Sequence, residues 1–244
     1  MAVQDDLDDP KTTAVRQSLL LRPGYLRALY QHWYQRIVER LPEERGEVLE
    51  LGSGGGFLTE AIPGLRTSDV MPVPGVELAI DARQLPFGDG TLRAIVGTNV
   101  LHHVPMIRQF LCEAERTLVG GGRLIFIEPW PTPFSKWVYR WLHHEPFDMR
   151  RDWSIPEGGP LTAANGALPW IVFQRDRRIF TAEFPNLLIR ERRAFMPFSY
   201  LLSGGIGRTW RLPSWLFRAA RLLEMPFDRL GLFALVIIER APRT

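Results

Sequence analysis

The stretch Glu47-Val-Leu-Glu-Leu-Gly-Ser-Gly-Gly-Gly56 is a short apolar run followed by a glycine-rich turn. Residues 57–62 then begin a segment that we expect to be helical. A strand, a glycine turn and a helix in this order open a βαβ unit. The sequence therefore predicts a parallel sheet whose first strand ends at the glycines.

Strand and helix signals alternate on both sides of this stretch. Residues 14–41 show helical spacing that is interrupted at Pro23-Gly24, which predicts two helices. A further helix is predicted over residues 106–118, before the stop signal Gly120-Gly-Gly122. The other predicted strands cover residues 65–69, 75–80, 93–98, 123–128, 187–193 and 233–240. Such alternation favours a parallel sheet that is covered on both faces.

The regular alternation stops after Glu128. Residues 129–160 contain several prolines and many aromatic side chains, and residues 161–182 are predicted to form a helix. Residues 194–232 separate the last two predicted strands. This separation is too long for an ordinary hairpin, so we expect helices within it.

Composition excludes several classes of protein. Of the 244 residues, 45% are hydrophobic and 23% are charged, which is typical of a globular domain and not of a disordered chain. Cys112 is the single cysteine, so disulfide frameworks and cysteine-rich metal sites are excluded. The acidic start differs from a secretory signal, and the longest apolar run, Leu232–Ile238, is too short to span a bilayer. We therefore expect a cytoplasmic protein.

Positive charge is concentrated toward the carboxyl terminus. Residues 175–244 contain 13 arginines and 6 acidic residues, whereas the whole chain has a net charge of +3. This distribution favours an anionic partner such as phosphate, nucleic acid or a membrane surface. An ordinary solvated face is the alternative interpretation.

The glycine turn is the first candidate binding feature. Without side chains at Gly52 and Gly54, backbone amides can approach a nucleotide-like ligand. The dinucleotide fingerprint requires a third glycine where this chain has Phe57, which disfavours nicotinamide cofactors. The chain also lacks the Gly-Lys-Ser or Gly-Lys-Thr of a P-loop. Close packing without a ligand is the alternative explanation for the glycines.

Three acidic residues follow three successive predicted strands. Glu50 precedes the glycine turn, Asp69 ends the second strand and Asp81 follows the third. Ligands of open α/β sheets bind at the carboxyl ends of the strands. A carboxylate after the second strand can accept two hydrogen bonds from a ribose diol.

Five motifs together resemble a known family. In chain order they are Glu50-Leu-Gly-Ser-Gly-Gly-Gly56, Ser68-Asp69-Val70, Asp81-Ala-Arg-Gln-Leu-Pro-Phe-Gly-Asp-Gly90, Asn99-Val-Leu-His-His-Val104 and Gly120-Gly-Gly-Arg-Leu-Ile-Phe-Ile-Glu128. Their order is similar to that of class I S-adenosylmethionine-dependent methyltransferases, in the broad small-molecule branch. The resemblance covers residues 46–128, about a third of the chain.

The resemblance implies a cofactor, a set of binding residues and a fold. The cofactor is S-adenosylmethionine, and no metal site is expected. Glu50 and the backbone of Gly52, Ser53 and Gly54 would hold the methionine end of the cofactor. Asp69 would bind its ribose, Asp81 and Ala82 would border its adenine, and Asn99 would flank the sulfonium.

The fold that the resemblance implies is one α/β domain with a doubly wound, seven-stranded, mostly parallel Rossmann-like sheet and a reversed last strand. Amino-terminal helices (1–45) would precede the core (46–128), and acceptor-side elaborations (129–244) would contain helical insertions after strands five and six.

The resemblance to this family also limits the kinds of acceptor that we expect. Methyltransferases that act on bases and amides usually carry Asn- or Asp-Pro-Pro-aromatic after strand four, where this chain reads Thr98-Asn-Val-Leu101. Cys112 does not follow a proline, so it is expected to be a small core residue and not a nucleophile. The candidate bases are His143 and His144 in the aromatic segment, and His103, whose alternative role is structural at the start of a helix.

The predicted function is methyl transfer to an oxygen or carbon atom of a small-molecule, glycan or lipid-linked acceptor. One alternative is an inactive interaction module with the same fold, and another is an RNA-associated methyltransferase, although nucleic acid is the less favoured partner. Residues 130–141 and the arginines of residues 208–229, interleaved with aromatic side chains, also predict peripheral contact with the inner membrane surface.

Overall fold

The computed structural model describes residues 10–142, 145–159, 162–205 and 212–242. Its centre is one seven-stranded sheet with the order β3-β2-β1-β4-β5-β7-β6. The strands are β1 (Glu47–Glu50), β2 (Arg66–Asp69), β3 (Leu78–Ala79), β4 (Leu92–Thr98), β5 (Leu118–Pro129), β6 (Leu187–Phe195) and β7 (Phe233–Arg240). Only β7 runs against its neighbours in this sheet, which confirms the predicted mostly parallel sheet with a reversed last strand.

The central strands are buried on both faces. Ile95 of β4 and Phe126 of β5 belong to one hydrophobic cluster, while Val96 and Ile127 belong to the cluster on the other face. Because successive side chains of a strand point to opposite faces, both must be apolar in such a sheet. This double burial explains the continuous apolar runs in the sequence.

Helices cover the two faces of the sheet. They are α1 (Pro10–Leu20), α2 (Tyr25–Val38), α3 (Ile107–Thr117), α4 (Pro133–Trp141), α5 (Leu168–Trp170), α6 (Arg177–Glu183), α7 (Ser199–Ser203) and α8 (Ser214–Glu224). The break between α1 and α2 lies at the predicted Pro23-Gly24, where Gly24 has a φ of 156°. The helices after β5 and β6 confirm both predicted insertions.

Three local predictions were wrong. The helix expected from Phe57 is only a 3-10 turn, Leu58–Glu60, because Pro63 disfavours helical backbone at the preceding residue and Gly64 turns the chain toward β2. The helix expected over residues 161–182 is divided by a π-helical turn at Ile171–Arg175. Cys112 is exposed, because α3 buries the opposite side, which carries Phe110, Leu111 and Ala114.

Candidate functional site

A cavity of about 1210 Å³ lies at the carboxyl edge of the parallel strands. This volume exceeds the roughly 300–1,000 Å³ typical of a single small-molecule site. The lining contains all the predicted cofactor residues except one: Gly52, Ser53, Gly54, Asp69, Asp81, Ala82 and Asn99. Glu50 is the exception.

The glycine turn is held in a conformation that favours glycine. Gly52 and Gly54 have φ values of 61° and 47°, in the left-handed region. A Cβ atom on Gly52 would lie 2.7 Å from Cγ2 of Val100. The N–H of Ser53 donates to the backbone oxygen of Ser68 over 2.8 Å, so the turn is also fastened to β2. The turn is thus a backbone-lined wall of the cavity.

Asp69 connects the two strand ends that border the turn. Its Oδ2 accepts the N–H of Gly54 at 3.1 Å, and its Oδ1 accepts the N–H of Met71 at 3.0 Å. Burial raises the pKa of Asp69, although these backbone hydrogen bonds act in the opposite direction. A carboxylate has about four lone-pair sites, so each oxygen can accept a further hydrogen bond from a diol.

Glu50 is placed behind the turn and does not line the cavity. The residue is only 3% exposed, and its Oε1 is 3.8 Å from the position of a Cβ atom on Gly56. Burial raises the pKa of Glu50 to about 7, and the nearby charge of Asp69 acts in the same direction. This geometry suits a carboxyl group that supports the turn from inside the protein.

Asp81 and Asn99 border the cavity from β3 and β4. The guanidinium of Arg83 binds the carboxylate of Asp81, with Nε 2.9 Å from Oδ2, and lowers the pKa of Asp81. Arg83 thus already occupies part of the Asp81 carboxylate. Asn99 has a φ of 55°, a left-handed conformation that asparagine tolerates better than most residues.

The amino-terminal helix α1 also reaches the cavity, which the sequence analysis missed. Thr13 and Arg16 line the cavity beside the glycine turn. A Cβ atom on Gly55 would lie 2.7 Å from the backbone N of Gln17, so helix and turn are in direct contact. Gly55, the middle one of three consecutive glycines, was the one available signal of this contact.

A second group of polar side chains, which includes His102 and Glu145, lines the same cavity. His102 is 1% exposed, and its Nδ1 is 2.7 Å from Oε2 of Glu128. The other oxygen of Glu128 accepts the N–H groups of Val100 and Leu101. Burial acts to lower the pKa of His102, but Glu128 and Glu145 outweigh it and raise this pKa to about 9.

His103, the predicted base within the described residues, also lines the cavity. Its Nδ1 is 3.1 Å from the carbonyl oxygen of Ala163. Burial, together with the charge of His102, lowers the pKa of His103 to about 4. The ring is therefore neutral near pH 7. His143 and His144, the other candidate bases, lie outside the described residues.

One protein family model matches this chain. Residues 49–126 match the model described as a methyltransferase domain. The matched segment runs from β1 into β5 and includes Asp69, Asp81 and Asn99.

Two curated relatives match part of the chain. Both are described as demethylmenaquinone methyltransferase, from two strains of Tropheryma whipplei, and each is 31% identical over 114 residues. The match covers 40% of this chain and 48% of each relative. The chain therefore spans about half the length of the curated relatives it matches.

Solved structures share the fold over nearly the whole chain. One is the methyltransferase in a complex with the Trm112 methyltransferase activator of Haloferax volcanii; the TM-score is 0.57 at 16% identity, with 97% of each chain covered. Another is the 4+2 cyclase SpnF, with a TM-score of 0.56 at 14% identity, covering 96% of this chain and 94% of that one. The matched domain, the strand order and the glycine turn together support a class I S-adenosylmethionine-dependent methyltransferase.

Proposed function

We propose that this protein transfers the methyl group of S-adenosylmethionine to an oxygen or carbon atom of an apolar small-molecule acceptor. The observation that carries the proposal is that one cavity has two chemically different sides. The glycine turn and the carboxylates line one side. Apolar and aromatic residues line the other: Val138, Tyr139, Leu142, Tyr200 and Leu201 from the two insertions, and Phe233 from the start of β7.

The residues on the polar side fit the cofactor. The backbone of residues 52–54 would hold the methionine end, with Arg16 of α1 available for its carboxylate. Asp69 would accept hydrogen bonds from the ribose, because its carboxylate is already oriented by two backbone N–H groups. Asp81 and Ala82 would border the adenine, and Asn99 would lie beside the sulfonium.

The apolar side supports an apolar acceptor. Tyr139 is buried and its hydroxyl donates to the backbone oxygen of Leu232, so it presents its ring and not a free polar group. Tyr200 and Phe233 pack with ring centroids 4.8 Å apart. Demethylmenaquinone, the acceptor named for the curated relatives, suggests a lipid-like quinone or prenyl compound as the class to test first.

Bound S-adenosylmethionine would supply an activated methyl group that transfers by in-line displacement. The protein then has to align the acceptor, exclude water and accept a proton where the acceptor is a hydroxyl or carbon acid. His103 is a candidate for the last task, since its neutral ring lies on the cavity wall.

The proposal is tested by methyl transfer from labelled S-adenosylmethionine into fractionated cell extract. Label in the lipid or small-molecule fraction supports the proposal, and the Asp69→Ala variant should remove it. Label in nucleic acid would instead favour the RNA-associated alternative, which a steep salt dependence of RNA binding would reinforce. A third outcome is that calorimetry shows S-adenosylhomocysteine binding although no fraction takes label. The chain would then be an inactive module, or it would catalyse a different reaction on the same fold, as the name of the 4+2 cyclase SpnF indicates for that protein.

We further propose that the acceptor side contacts an anionic membrane surface. None of the described helices is long and apolar enough to cross a bilayer. Exposed apolar side chains are present on α4 and on the segment that begins with α8, and the 3-10 turn Met225–Leu230 contacts α4. The exposed set is Trp137, Trp141, Leu142, Trp215, Leu222, Leu223, Met225 and Phe227.

Basic residues accompany this exposed set and favour anionic lipid. Lys136 and Arg140 lie on α4, and Arg218 lies on α8. Each basic side chain near such a surface contributes about 1 kcal/mol. Of the arginines and tryptophans that suggested this contact, Arg208, Trp210 and Arg211 lie outside the described residues.

Vesicle co-sedimentation tests the membrane contact. Binding should rise with the fraction of anionic lipid and weaken with salt. The double variant Trp141→Ser and Leu223→Ser should reduce it, while Ile179→Ser, at an exposed apolar position on α6, should not. Absence of binding at low salt, or equal loss in both variants, would contradict the proposed surface.

A further inference from the structure

Three potential metal ligands meet on the cavity wall: His102, His103 and Glu145. One donor atom of each lies within 4.8 Å of the others. The two histidines belong to the 3-10 turn Leu101–His103 after β4, whereas Glu145 follows α4. The fold thus brings together ligands from two segments that are separated in sequence.

The ring of His102 is held in the orientation that a metal-binding histidine requires. Its Nδ1 is 2.7 Å from Glu128, whose other carboxylate oxygen is fixed by two backbone N–H groups. Metal-ligating histidines almost always donate their second ring N–H to a carboxylate or a backbone carbonyl. The remaining nitrogen of His102, Nε2, is directed toward Glu145.

The ring of His103 is held in the same way by a different acceptor. Its Nδ1 is 3.1 Å from the carbonyl oxygen of Ala163. A carbonyl oxygen can only accept, so Nδ1 of His103 carries the hydrogen. In that tautomer the lone pair is on Nε2. Both histidines thus have Nδ1 bound to a protein acceptor, which leaves Nε2 as the nitrogen that can bind a metal ion once any proton on it is released.

Nε2 of His102 and the carboxylate of Glu145 are close enough for both to bind one metal ion. Nε2 of His102 is 3.4 Å from Oε2 of Glu145. Charge-assisted N–H···O bonds measure about 2.7–2.9 Å. Two ligands at about 2.1 Å from a tetrahedral zinc ion are about 3.4 Å apart. The observed separation equals the ligand–ligand edge of such a site.

We propose that Nε2 of His102, Nε2 of His103 and the carboxylate of Glu145 bind one divalent transition-metal ion, with Zn²⁺ as the best-fitting member of the class. Imidazole nitrogen favours zinc and its neighbours, whereas Mg²⁺ and Ca²⁺ prefer sets of oxygen ligands. Two histidines and one carboxylate leave a coordination position open, and all three ligands line the cavity. The sequence analysis expected no metal because its exclusion considered cysteine ligands and its resemblance covered only residues 46–128.

The open position gives the ion a task within the proposed function. It lies in the cavity that would also hold the acceptor, so the ion would bind an acceptor oxygen and hold it in place. This last step rests on the proposed function, whereas the metal site itself does not. It excludes His103 as the base while the ion is bound, because Nε2 cannot bind an ion and accept a proton at once.

The test is calorimetric titration of the metal-free full chain with Zn²⁺. One equivalent should bind saturably, and Co²⁺ at the same site should give a visible absorption spectrum that Zn²⁺ abolishes. His103→Asn keeps a donor for Ala163 but removes Nε2, and Glu145→Gln keeps the side-chain shape but removes the carboxylate. Each should weaken Zn²⁺ binding by more than about 100-fold, since even the loss of a residue that only hydrogen-bonds to a ligand costs about 10–100-fold.

Glu43→Gln, at an exposed position, is the matched control for Glu145→Gln and should retain the binding. The proposal is overturned if Zn²⁺ does not bind saturably, if both ligand variants bind like the parent, or if only the control variant loses binding. Unfolding midpoints of the metal-free variants separate loss of the ligand from loss of the fold. Titration with S-adenosylhomocysteine in the absence of metal tests cofactor binding separately, so the failure of one proposal is distinguishable from the failure of the other.

Discussion

The backbone N–H of Gly54 donates to Oδ2 of Asp69 over 3.1 Å, across the gap between the ends of β1 and β2. This bond joins the glycine turn to the carboxylate that is expected to bind the ribose. Since Oδ1 of Asp69 is fixed by the N–H of Met71, the carboxylate is oriented before any ligand arrives. A preoriented acceptor loses less conformational entropy on binding.

Asp69→Ala should therefore weaken binding of S-adenosylhomocysteine. Each hydrogen bond to a charged group contributes roughly 1.5–3 kcal/mol, so the dissociation constant should rise by about 10-fold or more. Calorimetry measures the change. Asp89→Ala is the control, because Asp89 pairs with Arg116 and its side chain is 66% exposed. Equal affinities of parent and Asp69→Ala would exclude Asp69 from the site.

Gly55→Ala tests the contact between α1 and the glycine turn. The new Cβ atom would lie 2.7 Å from the backbone N and Cα atoms of Gln17, so α1 would have to move. We expect lower thermal stability and weaker binding of S-adenosylhomocysteine, measured by a thermal scan and calorimetry on the same samples.

Gly64→Asn is the matched control for this substitution. No atom of the described residues lies within 4 Å of a Cβ atom there, and asparagine tolerates the φ of 73°. If Gly55→Ala binds and melts like the parent, α1 does not form part of the cofactor site.

The sheet was predictable because its strands carry strong local signals. The last strand, Phe233–Arg240, has the predicted bounds, since six consecutive residues from its start are buried. The predictions of local structure failed where a tertiary contact or a single helix-breaking residue determines the structure. Pro63 limits the expected helix after Phe57 to a single 3-10 turn. Cys112 is exposed because its position along α3 places it on the side opposite the buried residues.

The candidate site was predictable only where it follows the order of the strands. Gly52, Asp69 and Asn99 reach the cavity because the carboxyl ends of adjacent parallel strands share one edge. No comparable rule predicts the contacts of His102 with Glu128 and Glu145. The second contact depends on the path of the chain after α4. No spacing pattern in the sequence connects Glu145 to β4.

Arg221→Met should strongly destabilise the segment after β6. The guanidinium of Arg221 binds Asp228, with Nη2 2.7 Å from Oδ2, and the two side chains are only 8% and 13% exposed. Removing one partner of a buried pair costs about 3–5 kcal/mol because the other charge stays buried. Chemical denaturation should show this loss.

A matched substitution on an exposed pair provides the control. Arg190→Met breaks a pair with Glu239 in which Arg190 is 50% exposed, and it should cost less than about 1 kcal/mol. Similar losses in the two variants would mean that the Arg221 pair is solvated in solution.

Glu50→Gln should make the stability of the protein less dependent on pH. Burial raises the pKa of Glu50 from 4.5 to about 7, so the folded state holds this proton more tightly than the unfolded state does. The contribution of Glu50 to the free energy of unfolding is therefore fully present below about pH 4.5. It falls by about 3 kcal/mol as the pH rises to about 7, because the buried carboxyl group ionises there. Glutamine has no charge to bury, so the variant should gain stability relative to the parent between about pH 5 and pH 8.

The control is Glu43→Gln, at an exposed position, which should have the stability of the parent both at about pH 5 and at about pH 8. Urea denaturation of the three proteins at both pH values gives the free energies of unfolding. If parent and Glu50→Gln change in parallel, Glu50 is ionised in the folded protein at little cost, and its carboxylate must have a partner other than the turn.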